Sequence, residues 1–335
     1  MINTSIGLVG VAKQASKGTA ASAPTFVHGL TGGKVFKADR SIADANVACG
    51  VRAGTDSYVE SIVPGADFET YGYADAMPLY YYGAMGSIAS AAASGTGMSG
   101  YYDHTVTLGD ILPYLTLWGR TGSEYTRVSG CKVDEIEMSF EGNAPLEFGI
   151  TMIGIDDLLQ LQAFPGNVDP SCFDGCFIPT GGTFKIDTAG STPAAAPVMS
   201  GSLTLANNCT AEPLAGMVKP GDVEEGKLTT SGSVTVKPED MEEYYKMLTG
   251  AASGTTSTGM MVYGSFEWTF KHSKDEKCTM VVAAENVPFT AEWPDVDPSG
   301  GAAEIEFSFD NIGISSPAGS PITVTITNKV ASYTS

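Results

Sequence analysis

Glu135-Ile-Glu-Met-Ser-Phe-Glu141 and Glu304-Ile-Glu-Phe-Ser-Phe-Asp310 are nearly the same heptapeptide, placed 169 residues apart. In the first copy Ile136, Met138 and Phe140 alternate with Glu135, Glu137, Ser139 and Glu141; in the second, Ile305, Phe307 and Phe309 alternate with Glu304, Glu306, Ser308 and Asp310. A period of two with one apolar face predicts a half-buried antiparallel strand. Its recurrence predicts a duplicated β domain.

Working outward, further segments repeat in the same order. Thr31-Gly-Gly-Lys-Val-Phe-Lys-Ala-Asp39 returns as Thr180-Gly-Gly-Thr-Phe-Lys-Ile-Asp187, and the stretch 41–46 returns as 202–208. Met77-Pro-Leu-Tyr-Tyr-Tyr-Gly-Ala-Met-Gly86 resembles Met241-Glu-Glu-Tyr-Tyr-Lys-Met-Leu-Thr-Gly250. Thr96-Gly97-Met98 with Tyr101 matches Thr258-Gly259-Met260 with Tyr263, and residues 145–151 match 321–327. The spacings run from 149 to 176 residues, about half the chain, as loop insertions would produce. These matches predict an N-terminal arm (1–27), a first domain (28–155), a linker loop (156–176), a second domain (177–330) and a C-terminal tail (331–335).

The expected class is therefore all-β: two tandem β-sandwich or barrel domains, each with one short flanking α-helix. The helices fall on the two Tyr-Tyr blocks. Asp75 and Glu239 stand near their starts, where carboxylates suit the helix dipole, and Gly86 and Gly250 stand at their stops. Tyr80, Tyr81, Tyr244, Tyr245 and Trp268 are predicted to be core, which leaves Tyr101, Tyr102 and Trp293 as candidates for exposure.

Composition limits the function. The 335 residues carry 38 acidic and 18 basic side chains, a net charge of −20. That balance excludes affinity for polyphosphate through neutralising cations, and it excludes a basic membrane-surface protein. No secretory or membrane segment is expected: the N-terminus lacks a basic leader, and the softest stretch, 83–95, is too short to span a bilayer. Six cysteines form no disulfide framework, and the one close pair, Cys172 and Cys176, is expected as free thiols of a reducing compartment.

Motifs for chemistry are sparse. The chain has three histidines, His28, His104 and His272, with no nucleophile elbow, zinc helix or phosphate loop. His104 aligns with Phe266 and is expected as a packed strand residue, while Lys271–Lys277 around His272 reads as a solvated hairpin tip. Asp295, Asp297, Ser299 and Glu306 have calcium-loop spacing, but Trp293-Pro294 precedes them where a helix should stand. A plain acidic turn fits better. The pairs Asp156-Asp157 and Glu242-Glu243 read as surface acids. No cofactor and no enzymatic role are expected. Glu135, Glu137, Glu141, Glu304, Glu306 and Asp310 have two readings: ordinary soluble surface, or a regular negative wall that repels polyphosphate once domains stand side by side.

Four further segments carry a resemblance. Val9-Gly-Val-Ala-Lys-Gln-Ala-Ser-Lys-Gly-Thr-Ala20, Asp103-His-Thr-Val-Thr-Leu-Gly-Asp-Ile-Leu-Pro-Tyr-Leu-Thr-Leu-Trp118, Ser129-Gly-Cys-Lys-Val-Asp134 and Gly226-Lys-Leu-Thr-Thr-Ser-Gly-Ser-Val-Thr-Val236 resemble the major tail tube proteins of long-tailed bacteriophages. The resemblance implies a structural virion protein, assembled in the host bacterial cytoplasm, that stacks as rings around the path of the genome. Its implied partners are itself, other tail proteins at the tube ends and passing DNA without specific binding; no membrane is implied. Duplication favours rings of three chains with pseudo-sixfold symmetry; six chains, each with one copy outside the wall, is the alternative. A competing reading is a two-module carbohydrate- or receptor-binding β-sandwich protein, which would need exposed loop aromatics.

Overall fold

The computed structural model describes residues 3–45, 56–166, 168–190, 192–294, 302–314, 316 and 319–334. The first half contains β1 (Gly7–Lys13), β2 (Phe26–Gly29), β3 (Gly32–Ala45), β4 (Asp56–Tyr71), α1 (Met77–Met85), β5 (Gly86–Ala92), β6 (Tyr102–Leu108), β7 (Leu115–Thr121), β8 (Glu124–Glu141), β9 (Glu147–Ile153) and β10 (Asp156–Leu161). The second contains β11 (Phe177–Asp187), β12 (Ala194–Ala195), β13 (Val198–Ala206), β14 (Thr229–Val236), α2 (Glu242–Thr249), β15 (Gly264–His272), β16 (Thr279–Val287), β17 (Phe289–Ala291), β18 (Ile305–Asp310) and β19 (Ile322–Asn328). The class is all-β with two short helices, as the alternating segments predict.

The strands form two sheets, and neither belongs to one half alone. A 12-stranded sheet contains the antiparallel run β3-β4-β9-β8-β13-β14-β18-β17, crossing from first half to second where β8 pairs β13. The other sheet, β12-β11-β15-β16-β19-β6-β5, takes β6 and β5 from the first half by pairing β6 with β19. β8 is long enough to serve two layers. Its C-terminal part lies between β9 and β13, while its N-terminal part pairs β7 and β10. Gly130, at φ 66°, sits between the two parts, a conformation that favours glycine and lets the strand turn from one layer to the other.

One hydrophobic cluster fills the space between layers and draws on both halves. Phe140 of β8 stacks on Phe184 of β11 and meets Trp268 and Phe270 edge-on, all within 5.3 Å between centroids. The helices differ sharply. Every residue of α1 except Tyr82 is buried, whereas α2 buries only Met247. Both stop as expected: Gly86 and Gly250 are left-handed, and their N–H groups close onto the carbonyls of Tyr82 and Lys246.

Several expectations need correction. The arm drawn over residues 1–27 contains β1, which is laid between β2 and β7 with Val9 and Val11 fully buried. Apolar residues on consecutive positions fit a strand covered on both faces, and nothing in the local composition separates that from a mobile arm. The linker drawn over 156–176 contains β10. In the tail, Tyr333 is buried and its hydroxyl donates to the Asp75 carbonyl at 2.7 Å. His272 is buried, not solvated, and accepts from the Lys274 and Asp275 amides. Tyr245 of α2 is exposed while Tyr101 is buried, the reverse of the predicted assignment.

The strand order itself runs twice. β3-β4-β9-β8 is followed by β13-β14-β18-β17, and β10-β8-β7-β1-β2 has the same connectivity as β19-β16-β15-β11-β12. On this order β18 corresponds to β9 and β17 to the end of β8, so the two matched heptapeptides lie on neighbouring rather than equivalent strands. A half-buried strand looks alike at any place in a sheet, so a slip of one strand leaves the alternation intact.

Candidate functional site

The solvent face of the run from β3 to β17 gathers the acidic residues. Residues paired directly across antiparallel strands point to the same side of a sheet. Glu69 of β4 pairs Gly149, which pairs Glu137, then Thr204, Ser231 and Asp310. One row away, Asp67 pairs Thr151, Glu135 and Ala206, which pairs Thr229. On the other side Glu147 pairs Ser139, Ser202, Ser233 and Ser308, and Glu141 leads through Ser200 and Thr235 to Glu306. At the β3 end Lys34 pairs Asp67, and the other positions of these rows hold no Lys or Arg. Glu304 precedes β18 on the same alternation and is exposed.

The opposite face of the same strands is core: Phe68, Ile136, Met138, Phe140, Phe148, Ile150, Leu203, Leu205, Val234, Phe307 and Phe309 are all buried. Burying that face fixes register, because a slip of one residue would turn every carboxylate inward. The carboxylates therefore stay outward, held beside one another despite like charge. Glu135 shows the cost. Partial burial and the nearby Glu137, Asp134 and Asp67 raise its carboxyl above the ordinary range. Between the acids the surface is hydroxyl-rich, with Ser202 and Ser233 in contact at 3.3 Å.

All six residues predicted for a negative wall, Glu135, Glu137, Glu141, Glu304, Glu306 and Asp310, share this face. The structure adds Asp67, Glu69 and Glu147. Asp67 and Glu69 lie on a strand with little alternation at its start, so only the pairing of β4 with β9 brings them in. Of the calcium-loop candidates, Asp295, Asp297 and Ser299 lie outside the described residues, and Glu306 is an exposed member of the sheet face. Among the described residues no group of His, Cys, Asp or Glu is placed to hold a metal ion, and no helix is long and apolar enough to cross a membrane.

The histidines serve packing. His28 is fully buried; its Nδ1 lies 2.9 Å from the Gly29 carbonyl and its Nε2 2.7 Å from the Tyr80 hydroxyl. A carbonyl can only accept, so Nδ1 carries the proton and Nε2 accepts from Tyr80. His104 is buried between Ser90 and Asn328. His272 borders an open recess of about 410 Å³ with Tyr73, Asp75 and Asp275. Asp275 is already engaged there, since Lys329 and the Tyr101 hydroxyl hold its carboxyl down to about 2.

A family model described as phage tail tube protein matches residues 4–326. No curated protein matches the chain.

Proposed function

This chain belongs to the phage tail tube protein family and is a structural protein of the virion tail, and we propose that three copies of it close into one ring of the tube. The observation that carries this reading is the seam between β8 and β13. It joins two runs of equal strand order and leaves β3 and β17 at the ends, each paired on one side only among the described residues. Unpaired edges invite strand addition. Within one chain, the last strand of the first run meets the first strand of the second. The same join repeated between chains puts β17 of one copy against β3 of the next.

Such a contact is head-to-tail, and head-to-tail contacts make rings when the rotation closes. Three chains supply six runs and pair both end strands of every run. Two runs in one continuous sheet support this over six chains with one half outside the wall. Stacked rings form a hollow tube, and the acid-and-hydroxyl face turned inward makes a lumen that repels the phosphates of passing DNA, so the genome slides without being held.

Electron microscopy of the concentrated protein tests the reading. Rings or tubes with sixfold averages, and a native mass of three chains per ring, are expected. Rings of six chains with density outside the wall would overturn the stoichiometry.

A further inference from the structure

The loops that follow the two helices share a motif and differ completely in environment. In the first half, Thr96-Gly97-Met98 and Tyr101 lie between α1 and β6 and dock on the second half. The Tyr101 hydroxyl donates to Asp275 at 2.7 Å, and Lys277 Nζ donates to the Gly97 carbonyl at 2.8 Å. The ammonium groups of Lys277 and Lys329 stand 5.3 and 5.1 Å from the Tyr101 ring centroid. β6 then continues along the edge of β19. In the second half, Thr258-Gly259-Met260 and Tyr263 lie between α2 and β15, and there Met260, Met261 and Tyr263 are 74%, 60% and 51% exposed. Tyr245, Leu248 and Trp293 beside them are exposed as well. An apolar patch of this kind on one face marks a contact surface.

We infer that this patch is covered by a second copy of the chain, with residues 258–263 and the outer side of α2 seated on the β7–β8 turn and the free edge of β10. The inference rests on the ring reading. Its own support is the template inside the chain. The halves are joined by β8 with β13 and by the Met98–Tyr101 loop and β6 on the β15–β16 turn and β19. By strand order the counterpart of that turn is the β7–β8 turn, flanked by Arg120 of β7 and Glu124 of β8, where the other carries Asp275 and Lys277. The counterpart of β19 is β10, which among the described residues pairs only β8 and which exposes Leu158 and Leu159.

Both uncovered surfaces are thus halves of a junction the molecule already makes once internally. α1 packs on β5, β6 and β8 of its own half and is capped by Asn207 of the second half, whose side-chain amide donates to the Ala84 carbonyl at 2.9 Å, whereas α2 packs on β17 and leaves its outer side open. Apolar side chains on the donor side meet Leu158 and Leu159 on the acceptor side, so the surfaces match in chemistry as well as position.

The test uses the full chain with Met260→Asp and Met261→Asp together, compared with the unaltered protein by electron microscopy and sedimentation. Both residues are exposed, so the melting temperature should stay within a few degrees of the parent while rings and tubes are lost. A second variant pairs Met261→Cys with Leu159→Cys. Under mild oxidation it should give covalent dimers and closed trimers that neither single variant gives. Rings that persist in the double-aspartate variant, with no ladder from the cysteine pair, would overturn the docking surface and leave the ring reading standing. A parent chain that stays monomeric at all concentrations would overturn the ring reading and this surface with it.

Discussion

The ring of Phe140 stacks on that of Phe184, with centroids 5.1 Å apart and planes 27° from parallel. One residue belongs to β8 of the first half and the other to β11 of the second, so the contact crosses the boundary that the repeat suggests. Trp268 and Phe270 close around the same ring. Truncating Phe140 therefore opens a cavity shared by both halves. Phe140→Ala should cost about 3–5 kcal/mol, the usual range for a buried aromatic. Calorimetry of the unaltered chain should show one transition, displaced downward in the variant. Two separate transitions would mean that the halves are independent domains.

His28 makes stability depend on acid. Burial lowers its pKa from 6.5 to about 4, and the neutral ring is the form its two hydrogen bonds require. The unfolded chain takes up the proton first as pH falls, so this group's contribution is whole above pH 6.5 and is lost between there and about 4. The full loss is about 3 kcal/mol at 1.36 kcal/mol per pH unit. His28→Gln should flatten the denaturation midpoint across pH 6.5 to 4.5 relative to the parent. A variant with the same acid slope as the parent would assign that slope to other groups.

Much of this fold was legible in two heptapeptides, because alternation along a strand reports burial directly. Glu135–Glu141 and Glu304–Asp310 read correctly as acid-faced strands, and Gly86 and Gly250 as helix stops, since each is decided by local sterics and pattern. Strand neighbours were not legible. The heptapeptides match in sequence although they occupy different places in the strand order, whereas Trp118 and Trp268, both buried, stand on strands that do correspond. Asp67 and Glu69 joined the acidic face only through long-range pairing. The burial of β1 likewise depends on β7, more than a hundred residues away, which no local pattern reports.

Asn328 ties β19 to the turn that leads into α1. Its amide donates to the Ala74 carbonyl at 2.8 Å, while its carbonyl oxygen lies 3.0 Å from His104 Nε2. The Tyr333 hydroxyl also stands 2.7 Å from the Asn328 amide. All of these groups are buried, so removing the hub leaves partners unpaired away from water. Asn328→Leu, of similar size, should cost about 1–3 kcal/mol per group left unsatisfied. Urea denaturation measures it. Little change in the midpoint would mean that water replaces the lost amide and the site is less closed than its burial indicates.

The acidic face makes the sharpest prediction about the tube. Glu69, Glu137, Glu141, Glu147, Glu304 and Glu306 are exposed carboxylates of this face, and none of those within the strands is paired directly with Lys or Arg among the described residues. Replacing all six by Lys takes the nine acidic positions named on this face from a formal charge of −9 to +3 while leaving the buried side of the strands untouched. Surface changes of this kind alter stability by about 0.5 kcal/mol or less each. The parent should not retain duplex DNA at low salt. The six-site variant should bind it with an affinity that falls steeply as salt rises, at a slope of about −0.9 for each phosphate neutralised. Filter binding at two or more salt concentrations reads both quantities. If the parent itself holds DNA, or the lysine variant holds none, the negative face has no bearing on how DNA passes the wall, and the carboxylates are there for solubility alone.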